Sequence, residues 1–176
     1  MKKNKENLEK LIKGRTKINP PGLKYFLDVI IPEYYPRMRK SISTIEFADR
    51  VFSEFVRLTY VREDGMVQCC TCKKRFHRTV IQNGHYKKRS AYKYRFSMDN
   101  CHPQCETCNV FLSGNYREYY LFMVDKYGEE KERSIREDNS TKKLLDYDLI
   151  EDCVNRHGFI KEKKQRLIDN QSIAEY

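Results

Sequence analysis

Two short stretches, Cys69-Cys70-Thr71-Cys72 and Cys105-Glu106-Thr107-Cys108, decide the reading of this chain. A C-x2-C knuckle turns tightly enough to aim both of its sulfurs at one point, and two knuckles supply the tetrahedral four-sulfur site that Zn²⁺ prefers. Cys69, Cys72, Cys105 and Cys108 are therefore the expected ligands of a structural zinc. Cys70 is a competitor of Cys69 only through the tighter C-x-C spacing, and it reads with Cys101 as a small buried side chain. Cys153 falls at apolar helical spacing and reads as core. Seven cysteines in a chain without a signal-peptide pattern argue against a disulfide scaffold and for a cytoplasmic protein.

The knuckles enclose an insert that must be a piece of structure in its own right. Thr79–Gln82 and Tyr92–Phe96 read as its strands, with Asn83-Gly84-His85-Tyr86 and a basic loop between them. After the second knuckle, Leu112, Tyr116, Tyr119, Tyr120, Met123 and Tyr127 form one helical face, closed by Gly128. Before the first knuckle, Phe47, Val51, Phe55 and Leu58 recur at helical steps, with Thr44 as the N-cap. Glu129 to Asp138 reads as a solvated segment. A last helix carries Leu145, Leu149, Cys153, Val154 and His157 to a stop at Gly158, and a charged helical tail follows. His157 there offsets the helix dipole, and His77 reads as a surface residue. The organisation expected is a flexible basic arm over 1–22, a helical segment over 23–64, a zinc-bound core over 65–128 and a helical extension over 129–176. The fold class is α+β.

Charge narrows the partner. Lys and Arg number 35 against 25 Asp and Glu, a formal balance of +10 over 176 residues. Four thiolates on one Zn²⁺ carry a net −2, which leaves about +8. Between Gly65 and Met98 there are nine basic residues and no acid. Such a stretch points to a polyanion, because neutralising phosphates releases condensed counterions. Lys87, Lys88, Arg89, Lys93 and Arg95 are the candidate DNA contacts. Tyr86, Tyr92, Tyr94 and Phe96 read first as strand packing and second as base-stacking platforms. No apolar run approaches the roughly 18 residues of a spanning helix, so a membrane is not an expected partner.

The insert also places chemistry. His85 ends its first strand, Asn100 precedes the second knuckle and Asn109 follows Cys108, so the three are expected to converge beside the zinc. Phosphodiester hydrolysis uses a neutral imidazole to take a proton from water and a divalent cation to steady the leaving oxygen. Asparagine carbonyls suit Mg²⁺ or Mn²⁺.

The run Gly84-His85-Tyr86, Arg95-Phe96, Asp99-Asn100-Cys101-His102-Pro103-Gln104-Cys105, Cys108-Asn109 and Ser113-Gly114-Asn115 resembles the HNH nuclease signature. More narrowly, it resembles the NinG/Rap family of phage recombination endonucleases. Val51 to Leu58 and Tyr127-Gly128-Glu129-Glu130 extend the resemblance over residues 45 to 130. It implies a zinc-stapled, treble-clef-like ββα-metal core with His85 as general base, a divalent ion near Asn109 and Asn100 orienting the histidine loop. It further implies cleavage of branched DNA, including Holliday junctions and D-loops, in the host cytoplasm. Resolving a four-way junction symmetrically needs two active sites, hence a homodimer. One departure stands out: many HNH enzymes carry an aspartate ligand just before the catalytic histidine, where this chain has Gly84. His102 is ranked first as the replacement ligand, ahead of Asn115 and Asn83. The same departure sustains an alternative, a zinc-dependent DNA-binding accessory protein without catalysis.

Overall fold

The computed structural model describes residues 25–34, 43–140 and 146–173; the basic arm expected over 1–22 lies outside them. A π-helical turn, Phe26–Ile30, and a short helix α1, Ile31–Tyr34, come first. Helix α2, Thr44–Thr59, buries Phe47, Ala48, Val51, Phe52, Val56 and Leu58 on one face, the stripe that the apolar spacing demands. Its N-cap is Ser43 rather than Thr44. The Ser43 backbone N–H and hydroxyl both donate to Glu46 Oε2, at 2.9 and 2.8 Å, and these bonds hold the exposed Glu46 carboxyl below its usual range. The serine can cap because its backbone is still extended, whereas Thr44 is already helical.

Two small antiparallel sheets follow. Strands β1 (Met66–Gln68) and β2 (Arg75–His77) form a hairpin with Val67 opposite Phe76, and the first knuckle lies between them. Strands β3 (Gln82–His85) and β4 (Cys101–Gln104) pair with Gly84 opposite His102 and His85 opposite Cys101. The strand expected at Tyr92–Phe96 is instead a four-residue helix, α3 (Tyr92–Arg95). Its alternating Tyr-Lys-Tyr-Arg pattern suits a strand, yet the Tyr94 N–H turns back onto the Ala91 carbonyl and the ring packs inward. The partner of β3 is the segment leading into the second knuckle.

After that knuckle come a π-helical turn (Thr107–Phe111), α4 (Tyr116–Tyr127), α5 (Glu129–Glu137) and α6 (Asp146–Ile173). Ser113, Gly114 and Asn115 all have left-handed φ, +49°, +90° and +45°, a costly run for the two non-glycine residues. Gly128 ends α4 at φ +82°, as the sequence predicts. The segment expected to be solvated is α5, anchored by buried Glu132 and Ile135. Gly158 does not stop α6, because Ile160 and Leu167 continue the buried stripe of Leu149 and Cys153. His157 is consequently mid-helix and fully buried, between the Tyr25 hydroxyl (3.0 Å) and Glu33 (2.7 Å), rather than at a helix end.

The architecture is α+β, helices around two antiparallel hairpins. One core cluster runs from α6 across α2 to Val67, Ile81 and the knuckle cysteines 69, 105 and 108. A second, beneath α4 and α5, gathers Tyr86, Tyr94, Tyr119, Met123 and Ile135. No helix among the described residues is long and apolar enough to cross a membrane.

Candidate functional site

The two knuckles bring the sulfurs of Cys69, Cys72, Cys105 and Cys108 within 4.8 Å of one another. Three of the four residues are buried and Cys72 is half-buried. Donors face these sulfurs: the Thr71 hydroxyl lies 3.2 Å from Cys69, the Cys105 N–H 3.4 Å from Cys69, and Asn115 Nδ2 3.7 Å from Cys108. Burial opposes ionisation of Cys69, but these hydrogen bonds outweigh it and bring the thiol down to about 7. Four soft donors at one point fit a tetrahedral metal such as zinc. Among the described residues this is the one such cluster of His, Cys, Asp or Glu. Cys70 and Cys101 stand apart from it, buried, their thiols pushed up by burial. Asn115, one of the alternatives to His102 as ligand of a catalytic ion, turns its amide nitrogen to the Cys108 sulfur.

His85 ends β3 with Nε2 3.0 Å from the Arg95 carbonyl. A carbonyl only accepts, so Nε2 carries the proton and Nδ1 is left as the basic nitrogen. Burial, reinforced by the Arg89 charge, lowers the imidazole pKa below its ordinary 6.5. The ring is therefore neutral at physiological pH. Arg95 is itself held to Asp49 of α2 by Nε at 3.0 Å and a second guanidinium nitrogen at 2.5 Å. Its guanidinium is thus an internal brace that fixes the carbonyl behind His85, not the DNA contact expected from the sequence.

Asn100 brackets the same loop from within. It is fully buried; Oδ1 accepts the Lys87 N–H at 2.6 Å, and Nδ2 donates to the carbonyls of Lys87 and Tyr94, both at 3.1 Å. Its own carbonyl accepts the Tyr86 N–H at 2.9 Å. One side chain thereby ties the residues after His85 to those before Arg95.

Behind β3 and β4 the chain departs from the expectation for His102. This ring is wholly buried, with Nδ1 3.1 Å from the Tyr119 hydroxyl and Nε2 3.0 Å from that of Tyr127. Burial drives its pKa down to about 3. With both nitrogens occupied, His102 cannot be the second ligand of an ion; it orients Tyr119, whose hydroxyl donates to the Gly84 carbonyl at 3.1 Å. Asn109 Nδ2 donates to Gln82 Oε1 at 2.7 Å. Gln82 is at the far end of β3 and on the opposite face from His85, so the structure joins His85 with Asn100 but does not bring Asn109 into contact with them. Asn109 Oδ1 accepts no hydrogen bond among the described residues, and a hard amide oxygen suits an ion that keeps most of its water. The Asn83 and Gln104 side-chain oxygens are buried and unpartnered.

The basic stretch is divided in the structure. Lys88 and Arg89 are exposed. Lys87 Nζ instead reaches the carbonyls of Arg136 (3.1 Å) and Asp138, and Lys93 pairs with the Asp138 carboxylate. Asp49, Tyr119 and Asp138 thus shape the site, although the sequence marks Tyr119 only as a helix-face residue and gives the two aspartates no role. Tyr119 and Asp49 lie on the predicted helices, but nothing local marks Asp138, 45 residues from its partner.

A family model described as Bacteriophage Lambda NinG protein matches residues 37–167, about three quarters of the chain. No curated protein matches, and no solved structure matches.

Proposed function

The chain belongs to the bacteriophage lambda NinG family, and on that premise we propose that it is an HNH-type DNA endonuclease acting on branched DNA in phage recombination. The observation that carries the reading is the setting of His85: a neutral imidazole with Nε2–H committed to the Arg95 carbonyl and Nδ1 left to act as base. In the proposed reaction Nδ1 takes a proton from the water that attacks the phosphorus, in line with the departing 3′ oxygen. Asn100 and the Asp49–Arg95 pair act as positioning residues, since they hold both ends of the loop that aims the ring. A bound Mg²⁺ or Mn²⁺ would supply charge stabilisation at the departing oxygen. The four-cysteine zinc is structural and keeps β1–β2 and the second knuckle in register with β3. Lys88 and Arg89, exposed beside His85, are the proposed phosphate contacts.

The test is cleavage of a synthetic four-way junction beside a linear duplex of matching sequence, with Mg²⁺ or Mn²⁺ added or withheld, by wild type and His85→Ala. Metal-dependent cutting of the junction that disappears in the variant is the expected result. Tight junction binding by the zinc-loaded wild type with no cutting under either metal would overturn it in favour of the accessory protein that Gly84 suggests.

A further inference from the structure

Three of the five cations that the sequence offers to DNA are already engaged: Asp49 holds Arg95, and Asp138 takes two more. Lys93 Nζ pairs with Asp138 Oδ2, and the Tyr94 hydroxyl donates to the same oxygen at 2.8 Å. Lys87 Nζ reaches the Asp138 main-chain carbonyl. All three donors sit on the loop that runs from His85 to Arg95. The residue that meets them comes from just beyond α5, 45 residues after Lys93: its carboxylate takes Lys93 and Tyr94, and its main-chain carbonyl takes Lys87. Its other carboxylate oxygen closes a local turn by accepting the Ser140 N–H at 2.8 Å.

We propose that the Asp138 carboxylate occupies the seat of a DNA backbone phosphate on the histidine loop, and that DNA displaces it on binding. This rests on the reading of the chain as a DNA-binding nuclease. A carboxylate and a phosphodiester ask for the same surroundings, an ammonium and a hydroxyl aimed at one anionic oxygen. The stretch from Gly65 to Met98 contains no acid of its own, so without Asp138 this cradle would hold unneutralised charge. The pair is open to solvent, with the Lys93 side chain 48% and the Asp138 side chain 20% exposed. An incoming phosphate can reach it. An exposed ion pair is weak, whereas a phosphate of duplex DNA brings the release of its condensed counterions. The Asp138 contact therefore holds the loop in free protein and yields to DNA.

The experiment is equilibrium binding of fluorescently labelled junction and duplex DNA to zinc-loaded protein, in a His85→Ala background that prevents cutting, across a salt series. Asp138→Asn is expected to tighten binding about 3- to 10-fold at low salt and to steepen the log–log salt slope by about one unit. The same change made in Lys93→Gln is expected to leave affinity unaltered, since the cradle is then gone. Circular dichroism fixes a temperature at which all variants are folded, and Asp138→Ser, which keeps the turn with Ser140, repeats the comparison. Unchanged or weaker binding by the folded Asp138 variants would overturn the proposal and leave Asp138 a staple of α5. Equal tightening in the Lys93→Gln background would also overturn it, as a general charge effect. Absence of binding in wild type and Asp138 variants alike would remove the DNA reading itself.

Discussion

The Cβ that Gly84 lacks would lie 2.1 Å from Gln104 Oε1 and 2.7 Å from Gln104 Cδ. Gln104 cannot step aside cheaply: it is fully buried, and Nε2 donates to the Gly114 carbonyl at 2.8 Å. The glycine before His85 is thus a packing requirement of this particular sheet, and the neighbouring glutamine takes the room an acidic side chain would need. Gly84→Ala is expected to destabilise by about 1–3 kcal/mol, as overpacking does, and Gly84→Asp by more. Differential scanning calorimetry should show most of the Gly84→Ala loss recovered when Gln104→Ala is added, a coupling that independent sites would not display.

His85 and Asn100 should separate by what each variant loses. Asn100→Ala removes three hydrogen bonds inside the loop and is expected to cost about 2–4 kcal/mol in urea unfolding. His85→Ala gives up one bond from a half-buried ring and is expected to cost about 1 kcal/mol. If cleavage is lost in His85→Ala while stability stays near wild type, the ring acts in chemistry; a large stability loss there would assign it to the scaffold.

His102 makes stability depend on pH. The fold accommodates the neutral ring, with a value of about 3 against 6.5 for the exposed group, so unfolding takes up a proton throughout that interval. Stability is therefore full above about pH 7, falls as pH is lowered through 6.5 and goes on falling toward 3. His102→Gln is expected to be less stable at pH 7 yet to show a flatter profile from pH 7 to 5. Parallel profiles for the two proteins in urea titrations would refute this.

Metal content offers an independent check. One zinc per chain is expected by mass spectrometry under native conditions, and Cys105→Ser or Cys108→Ser should lower affinity sharply. A strong chelator should unfold the hairpins, read as loss of near-ultraviolet dichroism from the tyrosines packed behind β3 and β4.

Gly158 lies in the middle of α6 with no atom within 4 Å of the position of a Cβ. Gly158→Ala is expected to raise stability by about 0.5–1 kcal/mol, since it restricts the unfolded chain and adds helix propensity without a clash. An unchanged or lowered melting temperature would count against a continuous α6.

The sequence was legible where a short span of chain decides the outcome. The cysteine spacings are of this kind, as are the α2 stripe and the Gly128 terminus. It misled where a local pattern served two masters. Gly158 is a common helix stop, yet Cys153, Ile160 and Leu167 continue one buried stripe past it, and burial outweighs the glycine. Tyr92–Arg95 alternates like a strand but is drawn into a turn by the burial of Tyr94. The occupancy of Lys87, Lys93 and Arg95 was beyond any local reading, because their partners Asp138 and Asp49 lie about 45–50 residues away along the chain. The same holds for His102, whose neighbours Tyr119 and Tyr127 are identifiable as helix-face residues but not as the hydroxyls that saturate a histidine.

Leu149, Cys153, Ile160 and Leu167 of α6 share one apolar cluster with α2 and with the cysteines of the knuckles. The finger between the knuckles is therefore not a portable module. Grafted onto another scaffold, it would arrive with the α2-facing side of its sheet uncovered and with Arg95 deprived of Asp49. A chain shortened to the finger alone would meet the same exposure, so the smallest fragment that keeps its histidine aimed must carry helices from both sides of it.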